Sequence, residues 1–216
     1  MLKAANDPDA DYKALVRQGY DECAAVYEDA RRNEFIPQLE WLIQRLSNDA
    51  RVLDIGCGSG VPVAQALAQR FRVNGVDISG EQIRRARLNV SNGEFIHGDI
   101  MAVDFPPAQF DAIVAFYSIF HLPREEHPEL LRRMARWLKP NGYLMITASW
   151  VSEEAYTEDD FFDVTMYWSN YGLEDYQKML AEAGFRLIET SSIGTPPDRH
   201  PLLFTQLGGA EGQKEA

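Results

Sequence analysis

Apolar side chains recur along this chain in two rhythms, and the change from one to the other divides it. Between Tyr12 and Arg31, the residues Leu15, Val16, Tyr20, Ala24 and Tyr27 return at three- and four-residue steps, the spacing of one helix face. A second stripe follows in Ile36, Leu39, Leu42, Ile43 and Leu46, with Pro37 suited to a first turn. Residues 12–48 thus predict an N-terminal helical cap, and the polar residues 1–11 before it are expected to be flexible. From residue 51 onward, short apolar runs alternate with amphipathic segments. Arg51–Ile55, Phe71–Val76, Glu94–His97, Phe110–Phe116 and Tyr143–Ala148 read as strands, the last entered through the turn Asn141-Gly142. Val61–Arg70, Gly80–Val90 and Pro128–Leu138 read as helices between them. Such alternation predicts an α/β domain whose mostly parallel sheet is covered on both faces.

After the fifth strand the rhythm lapses. Residues 150–172 are rich in acids and aromatics without a clean period, and are expected to form a lid-like insertion. Leu173–Ala183 is helical again and stops at Gly184, a suitable C′ glycine. Phe185–Ser191 and Leu202–Leu207 read as two closing strands, so residues 12–207 make a single domain. The tail 208–216 has nothing to bury and is expected to be disordered.

Charge then narrows the partners. Lys and Arg total 21 against 33 Asp and Glu, a net charge of −12, which argues against phosphate backbones and anionic membrane surfaces. The basic runs Arg84-Arg85-Ala86-Arg87 and Arg132-Arg133 fall in helical patterns and read as solvated faces. No run approaches the roughly 20 apolar residues that span a bilayer. The N-terminus turns polar before a signal-peptide core forms. The two cysteines, Cys23 and Cys57, suit reduced cytoplasmic thiols, and no His, Cys or carboxylate spacing suggests a metal. A monomer and a homodimer fit equally.

Val52-Leu53-Asp54-Ile55-Gly56-Cys57-Gly58-Ser59-Gly60 carries the most chemistry. It sets a glycine-rich turn between a strand and a helix, where a ligand can approach bare backbone. The dinucleotide fingerprint Gly-x-Gly-x-x-Gly is the rival reading, but Val61 stands where its third glycine belongs. Asp54, just before the loop, would repel a pyrophosphate and attract a cation. Asp77 ends the second strand, where an acid can accept from both hydroxyls of a ribose. Asp99 ends the third and could accept from an exocyclic amine, with Ile78 and Ile100 on the ring faces. All three acids fall at carboxyl ends of adjacent strands, where open α/β sheets bind ligands.

These segments, with Gly75-Val76-Asp77-Ile78-Ser79, Gly98-Asp99, Phe110-Asp111-Ala112-Ile113-Val114 and Leu138-Lys139-Pro140-Asn141-Gly142-Tyr143-Leu144, resemble in order and spacing the motifs of class I S-adenosylmethionine-dependent methyltransferases. The resemblance covers roughly residues 20–207. It implies a Rossmann-like, doubly wound sheet of seven strands in the order 3-2-1-4-5-7-6, with the last strand antiparallel. It implies S-adenosylmethionine as cofactor and S-adenosylhomocysteine as product. Gly56, Gly58 and Gly60 would sit at the methionine end, Asp77 on the ribose and Asp99 on the adenine. Asn141 stands where the family most often has glycine, a departure that asparagine's tolerance of the left-handed region accommodates. The same motifs would serve a cofactor-binding protein without turnover or one that modifies a protein. Val61 and Asp54 argue against a nicotinamide oxidoreductase.

In-line methyl transfer mainly requires alignment and exclusion of water; a base is needed only for a nucleophile that must lose a proton. His121, after the fourth strand, is the candidate base, its alternative being a loop-packing residue. Tyr167 and Trp168 in the lid are expected to touch a small-molecule substrate, and Tyr167 is a second catalytic candidate. Phe116 and Tyr117 are candidates at the methionine end, Tyr20 and Tyr27 of the cap could close over it, and Tyr117 and Tyr20 are candidate substrate contacts; core packing is the alternative for all four. Cys57 reads as a small packing residue inside the cofactor loop. His127 reads as a surface residue, and His200 as the start of the last strand.

Overall fold

The structure of the protein, a computed structural model, describes residues 2–5, 10–32, 34, 36–196 and 199–209. The chain runs through β1 (Leu2–Ala4), α1 (Tyr12–Arg31), α2 (Leu39–Ile43), β2 (Arg51–Ile55), α3 (Val63–Leu67), β3 (Arg72–Asp77), α4 (Gly80–Asn89) and β4 (Glu94–His97). It continues through β5 (Phe110–Ala115), α5 (His127–Trp137), β6 (Leu138–Thr147), β7 (Glu153–Phe161), β8 (Val164–Asn170), α6 (Leu173–Glu182), β9 (Phe185–Ile193) and β10 (His200–Leu207). Seven strands form one sheet in the order β4-β3-β2-β5-β6-β10-β9. Counting only its members, that is 3-2-1-4-5-7-6. β2, β3, β4, β5 and β6 pair in parallel, and β10 runs antiparallel to both β6 and β9.

Burial explains the sequence of the central strands. β5 pairs with strands on both edges and has helices on both faces, so five of its six residues are 0 % exposed. One apolar cluster packs α2, α3 and α4 on one face, through Leu42, Leu67 and Ile83; the other packs α5 and α6 through Leu130, Met134, Trp137 and Tyr176. Asn141 takes φ +65 inside β6, where the register against β5 shifts, so the residue in the place of glycine does adopt the left-handed conformation. That kink splits the extended run, and the strand begins at Leu138 rather than Tyr143. Two helices are shorter than their apolar stripes, α2 by comparison with 36–46 and α3 by comparison with 61–70.

The insertion is more ordered than its pattern suggests. β7 and β8 form an antiparallel hairpin, and β1 pairs with β7 to complete a three-stranded sheet. Residues 2–4 are therefore a strand and not the flexible start that their polarity suggests, while 1 and 6–9 lie outside the described residues, as does 210–216 of the tail. This small sheet packs on α1, with Tyr12 stacked on Tyr167 at 4.6 Å between centroids. His200 does begin the last strand. His127 is a correction: it is 1 % exposed, because the first turn of α5 is covered by α6. Among the described residues no helix is long and apolar enough to cross a membrane.

Candidate cofactor and methyl-transfer site

At the carboxyl ends of β2, β3, β4 and β5 the sheet opens beneath α1. Gly56, Gly58 and Gly60 all take positive φ, +69, +52 and +79. At Gly56 a Cβ would lie 2.2 Å from the Ser118 Cβ, so the close approach of the two loops demands glycine. Gly60 meets Ala86 of α4 and Val90 at its C-terminal end instead, which makes it a packing residue between loop and helix rather than a wall of the cleft.

The acids are held differently. Asp77 accepts the Gly58 amide on Oδ2 and the Ser79 amide on Oδ1, both at 2.9 Å, leaving one lone pair on each oxygen toward the cleft. Burial is the largest influence on it and raises its pKa against those two hydrogen bonds. Asp99 accepts the Met101 amide on Oδ1 at 2.8 Å and Lys13 Nζ on Oδ2 at 2.9 Å. Asp54 is 2 % exposed, and its Oδ2 has no partner; burial first and the charge of Asp77 second push its pKa up to about 8. A buried carboxyl without a charged partner favours its neutral form, and a cation beside it would favour the charged one.

The cap closes the space above these acids. A cavity of about 730 Å³, part of it open to solvent, is walled by Lys13, Val16, Tyr20 and Tyr27 of α1. Its floor is Gly56, Gly58, Asp77, Ile78, Asp99 and Ile100, and its far side is Phe116, Tyr117, Ser118 and His121. A smaller adjoining pocket of about 380 Å³ is lined by Asp54, Cys57, Tyr27, Phe116 and Arg31. The Arg31 guanidinium lies 5.0 Å from the Tyr117 ring centroid and 5.6 Å from that of Tyr27, with Nη2 2.9 Å from Glu34.

His121 stands where α1, the β5 loop and β8 meet. Its Nδ1–H donates to the Tyr167 carbonyl at 2.9 Å, so Nε2 is the bare nitrogen and accepts the Tyr20 hydroxyl at 2.8 Å. Burial lowers its pKa to about 4, and it is neutral at pH 7. Burial also raises the Tyr20 phenol well above 10, so that hydroxyl keeps its proton.

The structure thus gathers Asp54, Gly56, Cys57, Gly58, Asp77, Ile78, Asp99, Ile100, Phe116, Tyr117, Tyr20, Tyr27 and His121 around two adjoining cavities. Tyr167 and Trp168 are not in the lining. The Tyr167 ring is 2 % exposed against Tyr12, so only its carbonyl reaches the site. The Trp168 ring lies behind His121, 4.3 Å from it. Lys13, Arg31 and Ser118 line the cavities without having been singled out by motif. A signal for the first two existed: the stripe Val16, Tyr20, Ala24, Tyr27 extends at the same spacing to Lys13 below and Arg31 above.

Fold and cleft define a Rossmann-like α/β protein with a ligand-sized crevice at the carboxyl ends of its parallel strands. A family model described as a methyltransferase domain matches residues 52–142. The chain is 31 % identical over 150 residues to the aklanonic acid methyltransferase of a Streptomyces species, covering 65 % of this chain and 67 % of that one. It is 33 % identical over 140 residues to the 27-O-demethylrifamycin SV methyltransferase of Amycolatopsis mediterranei, covering 61 % and 50 %. Among solved structures, it superposes on the 1,6-didemethyltoxoflavin-N1-methyltransferase of Burkholderia thailandensis with a TM-score of 0.74 at 20 % identity, covering 96 % of this chain and 95 % of that one. That crystal holds 1,6-didemethyltoxoflavin and S-adenosylhomocysteine. The chain belongs to the class I S-adenosylmethionine-dependent methyltransferases. It spans 36–58 % of the length of the first curated relatives it matches.

Proposed function

We propose that this protein transfers a methyl group from S-adenosylmethionine to a nucleophile on a small molecule. The observation that carries the reading is Asp54: a buried carboxyl without a partner on Oδ2, beside a glycine loop that leaves room at its backbone. Asp54 would take the methionine ammonium, Arg31 the carboxylate, Asp77 the ribose hydroxyls and Asp99 the adenine amine, with Ile78 and Ile100 on the ring. When bound, the cofactor supplies an electrophilic methyl carbon that the nucleophile attacks in line with its bond to sulfur.

The chain's own residues then align, dehydrate and move one proton. Tyr20, Tyr27, Phe116 and Tyr117 supply the apolar walls that exclude water. Nε2 of His121 accepts the acceptor's proton, directly or through the Tyr20 hydroxyl it already binds. A base with a pKa near 4 is weak. It suffices because an oxygen or nitrogen becomes strongly acidic as its new bond to carbon forms. Relatives named for 27-O-demethylrifamycin SV and aklanonic acid support a small-molecule acceptor. The net charge of −12 and the buried free thiols Cys23 and Cys57 suit a cytoplasmic monomer or homodimer.

Titration calorimetry with S-adenosylhomocysteine tests the cofactor, and a heat signal in the sub-millimolar range is expected. No binding, or a thermal shift with NADH in its place, would end the reading. With labelled cofactor and an acceptor found by screening, His121→Ala should lower kcat by about 10²–10⁴-fold, and an unchanged kcat would remove His121 from the proton's path.

A further inference from the structure

The Tyr20–His121 pair stands on a loop that needs outside support. Tyr117, four residues before His121, takes φ +53. A bulky residue holds that left-handed conformation only where its surroundings over-determine it. Two backbone bonds close the 3₁₀ turn Ile119–His121 that follows, His121 N–H to the Ser118 carbonyl and Leu122 N–H to that of Ile119.

A second histidine, which the proposed chemistry does not use, supplies the support. His127, the first residue of α5, is buried, and its Nε2–H donates to the Leu122 carbonyl at 3.2 Å. Its Nδ1 is therefore the acceptor, and takes the Tyr176 hydroxyl of α6 at 3.0 Å. The two rings stack with centroids 5.9 Å apart. An unbroken bridge thus runs from α6 through α5 to the residue directly after His121. Neither His127 nor Tyr176 lines either of the two cavities described above. Two polar groups at 1 % and 0 % exposure, where two apolar rings would pack, indicate that a defined geometry is being held.

We propose that His127 and Tyr176 are positioning residues that fix the Leu122 carbonyl and thereby aim the His121 ring at the Tyr20 hydroxyl. The proposal rests on the reading of Tyr20 and His121 as the proton-handling pair. Tyr176 faces His127 from α6, Tyr171 from the segment after β8, and Arg124 and Glu125 from the turn before α5. Tyr20 faces His121 from α1, with the Tyr167 carbonyl and the Trp168 ring on β8.

The test uses the full chain labelled with ¹⁵N in its four histidine rings, whose long-range spectra report tautomer and titration for each. In the wild type His121 is expected as the pure Nδ1–H tautomer. In Tyr176→Phe and His127→Phe it should become a tautomer mixture, with its midpoint raised by about one pH unit or more as the ring is freed. His127→Gln, whose amide can donate to Leu122 and accept from Tyr176, should restore the wild-type spectrum. Unchanged His121 signals in a folded variant whose melting temperature has dropped would overturn the proposal. Tyr176→Phe removes one oxygen only, and carries the readout if His127→Phe does not fold. Failure of the wild type to bind S-adenosylhomocysteine would sink the methyl-transfer reading, while the spectra still decide whether His127 and Tyr176 aim the ring.

Discussion

Asp54 shows how one residue can couple ligand charge to pH. Its carboxyl is raised to about 8 in the ligand-free protein, by burial first and by Asp77 second. A cationic ammonium placed on it reverses that balance and draws the proton off. Binding of S-adenosylhomocysteine near pH 7 should therefore release close to one proton, and affinity should climb as pH rises toward 8. Calorimetry in two buffers of different ionisation enthalpy measures the release; Asp54→Asn should abolish it and weaken binding. Asp77 makes a different contribution, since its two oxygens are already oriented by backbone amides. Asp77→Ala should cost about 2–4 kcal/mol of cofactor affinity, on the order of two hydrogen bonds to a charged acceptor, as read by the same titration. Unchanged affinity would mean that the ribose lies elsewhere.

At the scale of elements, the cap helix is tied to the cleft by polar contacts as much as by its apolar stripe. Asp21 on α1 accepts the Ser79 hydroxyl at 2.6 Å and the Glu81 amide at 3.0 Å, so it caps α4 from another element. Asp21→Ala should destabilise the fold by about 1 kcal/mol, the usual worth of a cap at an exposed position, seen as a shift of the urea midpoint. The parallel core of the sheet was legible because strands buried on both faces must be apolar throughout, as Ile113-Val114-Ala115 is. The β7–β8 hairpin was not. Glu153-Glu154-Ala155-Tyr156-Thr157-Glu158-Asp159-Asp160-Phe161 lacks alternation, because two register shifts against β8 break the period of two. Its turn also lacks the usual Asn-Gly: Phe162 and Asp163 take φ +50 and +65 themselves. Tyr167 was misplaced for a related reason. Once 164–170 is a strand, neighbouring side chains point to opposite faces, which sends the Tyr167 ring to Tyr12 and leaves its carbonyl for His121. The acids of the cleft were legible because strand ends and glycine turns mark their positions; Lys13 and Arg31 had no such marker.

For the molecule as a whole, these buried groups set opposing trends of stability with pH. His121 and His127 are held near pKa 4, against about 6.5 for an ordinary imidazole, in both cases chiefly by burial. The unfolded chain binds their protons first, so the stability they contribute is complete above pH 6.5 and is lost as pH falls toward 4. Asp54 acts in the other sense: its raised carboxyl stabilises the folded state below pH 3.8, and that contribution is lost as pH rises through 8. Between pH 4 and 6.5 two histidines oppose the raised Asp54 and Asp77 carboxyls, so stability climbs there by at most about 1.4 kcal/mol per pH unit. Above 6.5 the histidines add nothing further and stability falls as Asp54 loses its proton. Thermal midpoints of the ligand-free protein should therefore peak near pH 6.5. Asp54→Asn should flatten the alkaline arm and leave the acid arm in place. Saturating S-adenosylhomocysteine should flatten the same arm, because a carboxylate paired with an ammonium has no proton left to lose. An alkaline arm that survives both the substitution and the ligand would show that Asp54 is not the group that titrates there.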